Sequence, residues 1–160
     1  MSDSKKTTGT ETKKSNTLII EIIMILFLVG LVFVIVFPYK QMQDDKKQEA
    51  ILKQRMEAIY PVLTRITEAA LKAKAEDEFG DFPMDFDFLG LGKASDLETS
   101  DFTFGYNYDL DTSTPTAFAL SKPEFGKENV KIIYNIKDKS YSLSDPKAEE
   151  KPRIKDEWLP

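Results

Sequence analysis

The chain has 160 residues with 22 basic and 27 acidic side chains, a formal net charge of −5, and neither histidine nor cysteine. Those two absences exclude disulfides, thiol nucleophiles, thiolate or imidazole metal sites and every His-based general base or triad. Without the first 16 residues, which hold four Lys, one Asp and one Glu, 18 basic and 25 acidic residues remain, a net of −7 that disfavours nucleic acid and anionic headgroups as partners.

Residues 1–16 are rich in Ser, Thr and Lys and have no large apolar side chain after Met1, so they read as a disordered cytoplasmic leader. The run TLIIEIIMILFLVGLVFVIVFP follows at 17–38. As a helix, its 22 residues span roughly 33 Å, enough for a bilayer core. It is too long for an ordinary signal-peptide core and has no small-residue cleavage site at its end. One acid, Glu21, interrupts it. A carboxylate within a membrane segment costs several kcal/mol unless it is paired, so Glu21 reads as functional. The bland alternative is an acid one turn inside the membrane face, partly hydrated there. Lys5, Lys6, Lys13 and Lys14 precede the span, opposed only by Asp3 and Glu11, whereas Lys40, Lys46 and Lys47 beyond it are interleaved with Asp44 and Asp45. The positive-inside rule places the N-terminus in the cytoplasm and residues 39–160 outside.

Beyond Pro38 the sequence is polar but keeps helical periodicity. Leu52, Met56, Ile59, Leu63, Ile66 and Ala70 are spaced 4, 3, 4, 3, 4, an apolar stripe that predicts an amphipathic helix over 39–75. Core packing is the plain reading of that stripe and self-association the other. Pro38 and Pro61 each remove a backbone hydrogen bond and are expected to bend the helix without ending it. Residues 76–100 read as a loop, with acids and aromatics alternating over 81–88 ahead of Gly90 and Gly92. The period then becomes two. Phe102, Phe104, Tyr106, Tyr108 and Leu110 alternate with polar residues and small Gly105. Pro115 marks a turn, and 116–120 is a short partner strand presenting Phe118 and Leu120. Val130, Ile132, Tyr134 and Ile136 alternate in a third strand. Asp138-Lys139 turns the chain into a fourth at 140–144, with Tyr141 and Leu143 on one side. Four consecutive strands make an antiparallel meander. The tail, 146–160, is charged and proline-punctuated and reads as extended, with Trp158 weakly held.

The predicted fold is therefore α+β: a long N-terminal helix, membrane half plus amphipathic half, packed on a four-stranded antiparallel sheet within 76–145. A sheet with one aromatic face needs a cover, and the helix stripe is the partner available.

These residues resemble the type IV pilin and type II secretion pseudopilin superfamily. Thr17-Leu18-Ile19-Ile20-Glu21 stands where that family starts its mature chain, Gly30 follows the acid by nine residues and Pro38 by seventeen, with Tyr39 next. The N-terminal likeness covers about 25 residues, and the helix-on-meander outline extends it less specifically. The resemblance implies leader cleavage and N-methylation near Ser15, Asn16 and Thr17. Counting from the acid makes Thr17 the first mature residue, with Asn16 before it. Aligning on Thr-Leu-Ile makes Asn16 first and Ser15 the residue before cleavage. The family has Gly at that preceding position. It also implies that Glu21, Gly30 and Pro38 serve assembly, the acid meeting a neighbour's N-terminal amine so that polymerisation relieves its desolvation. Gly30, without a side chain, suits close helix approach or local unwinding.

The implied function is a structural subunit of a type IV pilus or type II secretion filament in the bacterial inner membrane. Its partners would be copies of itself, the inner-membrane assembly machinery and the membrane, with no nucleic acid. The alternative is a single-pass anchored extracytoplasmic domain that binds a partner and never polymerises. A membrane-tethered enzyme stands third. No catalytic residue, cofactor or metal ligand is expected. Asp109-x-Asp111-x-Ser113 opens like a calcium loop, but Thr114 and Leu120 stand where an EF-hand has Gly and Glu, so it reads as a turn. The acids Asp81, Asp85 and Asp87 could hold calcium or pair carboxylates for glycoside hydrolysis, but no cleft is predicted around them and catalysis is not expected there. The tail acids Glu149, Glu150, Asp156 and Glu157 read as solvated surface rather than a docking site.

Overall fold

The computed structural model describes residues 11–160, with side chains from residue 17 onward. The chain divides into two compact units, one ending at Asp44 and one of Asp45–Pro160. Helix α1 is Glu11–Glu57 and helix α2 is Tyr60–Glu76. Of the expected leader, residues 1–10 lie outside the described residues. The backbone of 11–16, expected to be disordered, instead belongs to α1. Glu11, Lys13 and Lys14 are good helix formers, and a helix already nucleated extends at little cost per residue.

Pro38 sits inside α1 without ending it. Pro61, expected to bend a single helix, instead lies in the first turn of α2. Lacking an N–H, it cannot continue the α1 ladder. Ala58 and Ile59 close tighter bonds to the carbonyls of Arg55 and Met56, at 3.3 and 3.1 Å. Ile59 keeps right-handed angles, φ −76° and ψ −29°, so the break costs little phase. Leu52, Met56, Ile59, Leu63, Ile66 and Ala70 are all buried, and the stripe crosses the break intact.

The sheet has the order β1-β2-β3-β4, every neighbouring pair antiparallel. Its strands are β1 Phe102–Asp109, β2 Thr114–Ser121, β3 Lys131–Asn135 and β4 Ser140–Ser144. The expected α+β architecture, a long N-terminal helix packed on a four-stranded antiparallel meander, is the observed one. Phe102, Phe104 and Tyr106 of β1 and Ile132 of β3 face the core, flanked by Val130 and Ile136.

On β2 the expected faces are reversed. Pro115, Ala117, Ala119 and Ser121 are buried, while Phe118 and Leu120 are half-buried on the other side. Helix α2 packs over β1 and β2, and alanines on the inward side let it approach closely. Phe118 covers Gly105 on the outer face: a Cβ built there would stand 2.4 Å from the tip of the ring. That contact is a reason for glycine mid-strand. Pro115 is likewise part of β2, paired with Tyr108, and the turn falls at 110–113 with Leu110 exposed.

Two further segments close the core. In 76–100, short 3-10 turns at Phe86–Leu89 and Ala94–Leu97 deliver Phe86, Leu89 and Leu97 inward. The tail, expected to be loose, is docked. Ile154 and Trp158 are buried, the Tyr60 hydroxyl donates to the Trp158 carbonyl at 2.9 Å, and Lys155 meets Glu49 at 3.1 Å. Tyr60 packs edge-on to Tyr141, ring centroids 5.6 Å apart. Apolar residues hidden among tail charges find this aromatic cluster, and burying them outweighs the entropy of fixing the chain.

Candidate functional site

The candidate site begins with an apolar helix segment whose side chains are exposed among the described residues. From Leu18 to Phe37 every large apolar side chain is exposed, among them Phe27, Phe33 and Val34 at 72%, 68% and 73%. The run is long and apolar enough to cross a membrane, and none of it is buried. Water is the wrong solvent for such a surface, so it is a possible anchor.

Glu21, Gly30 and Pro38 share this helix, but the fold does not gather them. Nine residues place Gly30 about 13 Å along the axis from Glu21 and on the opposite side, and Pro38 lies about 25 Å from the acid. Glu21 makes no hydrogen bond or ion pair among the described residues. A Cβ at Gly30 would meet nothing within 4 Å, so its absence answers no contact inside the chain. Pro38 leaves the Val34 carbonyl without its usual partner, a local weak point in the helix. Thr17 heads the described side chains, while the side chains of Ser15 and Asn16 lie outside the described residues.

Ordinary structural work accounts for the acids weighed as ligands. The Asp109 carboxylate accepts from the Asp111 N–H at 2.9 Å, and bonds from the Thr112 hydroxyl and then that N–H hold it below the usual carboxylate range. This is an Asx turn joining β1 to β2. Asp85 caps the Phe86 N–H at 2.6 Å. Glu149 pairs with Arg153 and Glu150 with Lys147 along the exposed tail. Among the described residues no three acids are grouped so as to hold a metal ion.

Two polar fasteners escaped the sequence reading. Arg55, at the end of α1, clamps Asp101 through two nitrogens, donates to the Phe125 and Glu124 carbonyls at 3.2 and 2.6 Å, and lies 5.7 Å from the centre of the Phe125 ring. Its hydrogen bonds hold the Asp101 carboxyl below its ordinary range against the opposing effect of burial. Lys127 and Asp145 form a buried pair, 5% and 4% exposed, with Nζ 2.5 Å from Oδ2. The ammonium also donates to the Glu150 carbonyl at 3.0 Å. The pair ties the 122–130 loop to the tail. Both fasteners join residues far apart in sequence, so no local pattern announces them.

No protein-family model, curated protein or solved structure matches this chain.

Proposed function

We propose that the chain is a subunit of a type IV pilus or type II secretion pseudopilus, held in the bacterial inner membrane with its N-terminus cytoplasmic and polymerising through its N-terminal helix. One observation carries this reading: a carboxylate, Glu21, with no partner among the described residues, one turn inside an apolar helix segment whose described side chains are all exposed. A helix needs no such acid in order to anchor. Assembly with copies of itself gives the acid a use, because its desolvation is relieved when another subunit supplies a positive group, its N-terminal amine. The spacing from Glu21 to Gly30 and Pro38, the pattern of the pilin-like superfamily, adds support, as does the helix-on-sheet layout of the outer unit. No enzymatic activity, cofactor or nucleic-acid partner is proposed.

Exchanging Glu21 for Val tests the idea. Membrane insertion is expected to persist or improve, while incorporation into filaments, scored by microscopy and by fractionation of sheared material, is lost. A filament assembled normally from the variant overturns the reading. N-terminal sequencing of the native protein gives an independent check, with a start at Asn16 or Thr17 expected.

A second reading has one feature in its favour: Ser15 or Asn16 occupies the position where the family carries Gly before the cleaved bond. Under it the leader stays, and the outer unit is an anchored binding domain. An intact Met1 on the functional species, with Glu21→Val silent, selects this alternative.

A further inference from the structure

The C-terminal end of α2 and the loop after it build a feature that filament assembly through the N-terminal helix does not use. Between residues 76 and 87 the chain carries six acids and no base. Within this acidic stretch and just beyond it, Phe79, Met84 and Phe88 stand 84%, 66% and 72% exposed. They line a shallow groove of about 580 Å³ whose rim includes Glu76, Asp77 and Asp81.

The display is held firmly. The Asp77 carboxylate accepts from the backbone N–H groups of Phe79 and Asp81, at 2.9 and 3.1 Å, while Gly80 takes the left-handed angle the turn needs, φ +71°. The Tyr106 hydroxyl, on a side chain buried in the sheet, donates to the Pro83 carbonyl at 2.8 Å. Phe86 and Leu89 root the following turn in the core. The backbone that carries the three exposed apolar side chains is thus held in place, so binding need not order the loop itself. Lys74 already lies over the neighbouring Phe82 ring, with Nζ 4.3 Å from its centre, which shows that a cation fits against this surface.

We propose that this groove docks a segment of a partner protein that carries a large apolar side chain flanked by lysines or arginines. Exposed aromatics call for an apolar anchor, and the rim acids Glu76, Asp77 and Asp81, only the first of which has a lysine partner among the described residues, Lys72, select its charge. An acidic segment would meet like charge, and an anionic membrane would be repelled. The inference stands apart from polymerisation through Glu21 and survives if that reading fails.

The test uses the full chain in nanodiscs of neutral phosphatidylcholine. Its probe is a short fluorescent peptide with a central Phe-Leu pair between lysines, compared with the same peptide bearing glutamates. Anisotropy is expected to show saturable binding of the lysine peptide, at least about tenfold tighter than the glutamate peptide. Its affinity is expected to fall as salt rises from about 0.05 M to about 0.5 M. Phe79→Ser and Phe88→Ser, both at exposed positions, are each expected to weaken it at least about fivefold while the emission of buried Trp158 is unchanged. Equal binding of the two peptides overturns the proposal, as do retention in both variants, equal binding to empty nanodiscs, and no binding at all. Self-association of the full chain that is lost in Phe88→Ser would assign the groove to a second copy and overturn it equally.

Discussion

The apolar segment of α1 and the unit Asp45–Pro160 solve opposite problems with helices. Between Leu18 and Phe37, α1 exposes every large apolar side chain it has there, whereas from Leu52 to Ala70 the stripe shared by the end of α1 and by α2 is closed against strands, 3-10 turns and tail. The first segment specifies a surrounding medium or neighbour. The second is complete without one. A helix therefore reports its role less by its propensity than by what its apolar face is left to find.

Trp158, the single tryptophan, is buried in the outer unit and so reads that unit's unfolding in the full chain, in lipid, without signal from the apolar segment. The largest effect is expected at the buried ion pair. Lys127→Met strands the Asp145 carboxylate and is expected to destabilise the outer unit by about 3–5 kcal/mol in denaturant titrations. Adding Asp145→Leu to that variant should recover most of the loss, and failure to recover would show that the pair does more than neutralise itself.

Next in size is the Arg55 clamp. Arg55→Met is expected to cost about 1–3 kcal/mol at neutral pH. Because the Asp101 carboxyl titrates lower in the folded chain than in the unfolded one, its contribution is present above the ordinary carboxylate pKa, about 4, and is lost as pH falls through the folded value. The variant should therefore lose the part of the acid dependence that Asp101 supplies, measured as the difference in unfolding midpoint from native protein between neutral and acid pH.

A smaller effect is expected at the alkaline end. Burial is the main cause that pushes the Tyr60 and Tyr106 hydroxyls up to about 12. Unfolded tyrosine ionises near pH 10, so stability is full below that and falls as pH rises through the window to about 12. Tyr60→Phe should flatten this fall while costing about 1 kcal/mol at neutral pH for its bond to the Trp158 carbonyl. Smallest of all, Glu21→Val should leave the Trp158 unfolding curve unmoved. A shift there would break the separation between the two regions.

Much of the outer fold was legible because its signals are periodic. The helix stripe is buried at all six of its positions, and Phe102, Phe104, Tyr106 and Ile132 are buried as the alternation in β1 and β3 predicts, while Tyr108 and Tyr134 are only half-buried and Leu110 is exposed. β2 misled because its largest side chains, Phe118 and Leu120, face outward. The inward face was set by how near α2 can come, a tertiary demand that favours Ala117 and Ala119. The tail misled because its charges outnumber the two side chains that dock it. Arg55 and Asp101 are 46 residues apart, a pairing that single-sequence pattern cannot reach. At the candidate site, the spacing of Glu21, Gly30 and Pro38 was visible throughout, and the fold adds that the three are not gathered on one side of the helix.

The docked tail bears on when the outer unit can fold. Its closing wedge, Ile154 with Trp158, is made only after every strand it seals, and the Tyr60 hydroxyl stays unmet until the Trp158 carbonyl exists. A ribosome pausing anywhere before that point holds an open core with a wet seam along its helix. Final consolidation therefore waits for the last stretch of the unit to be made.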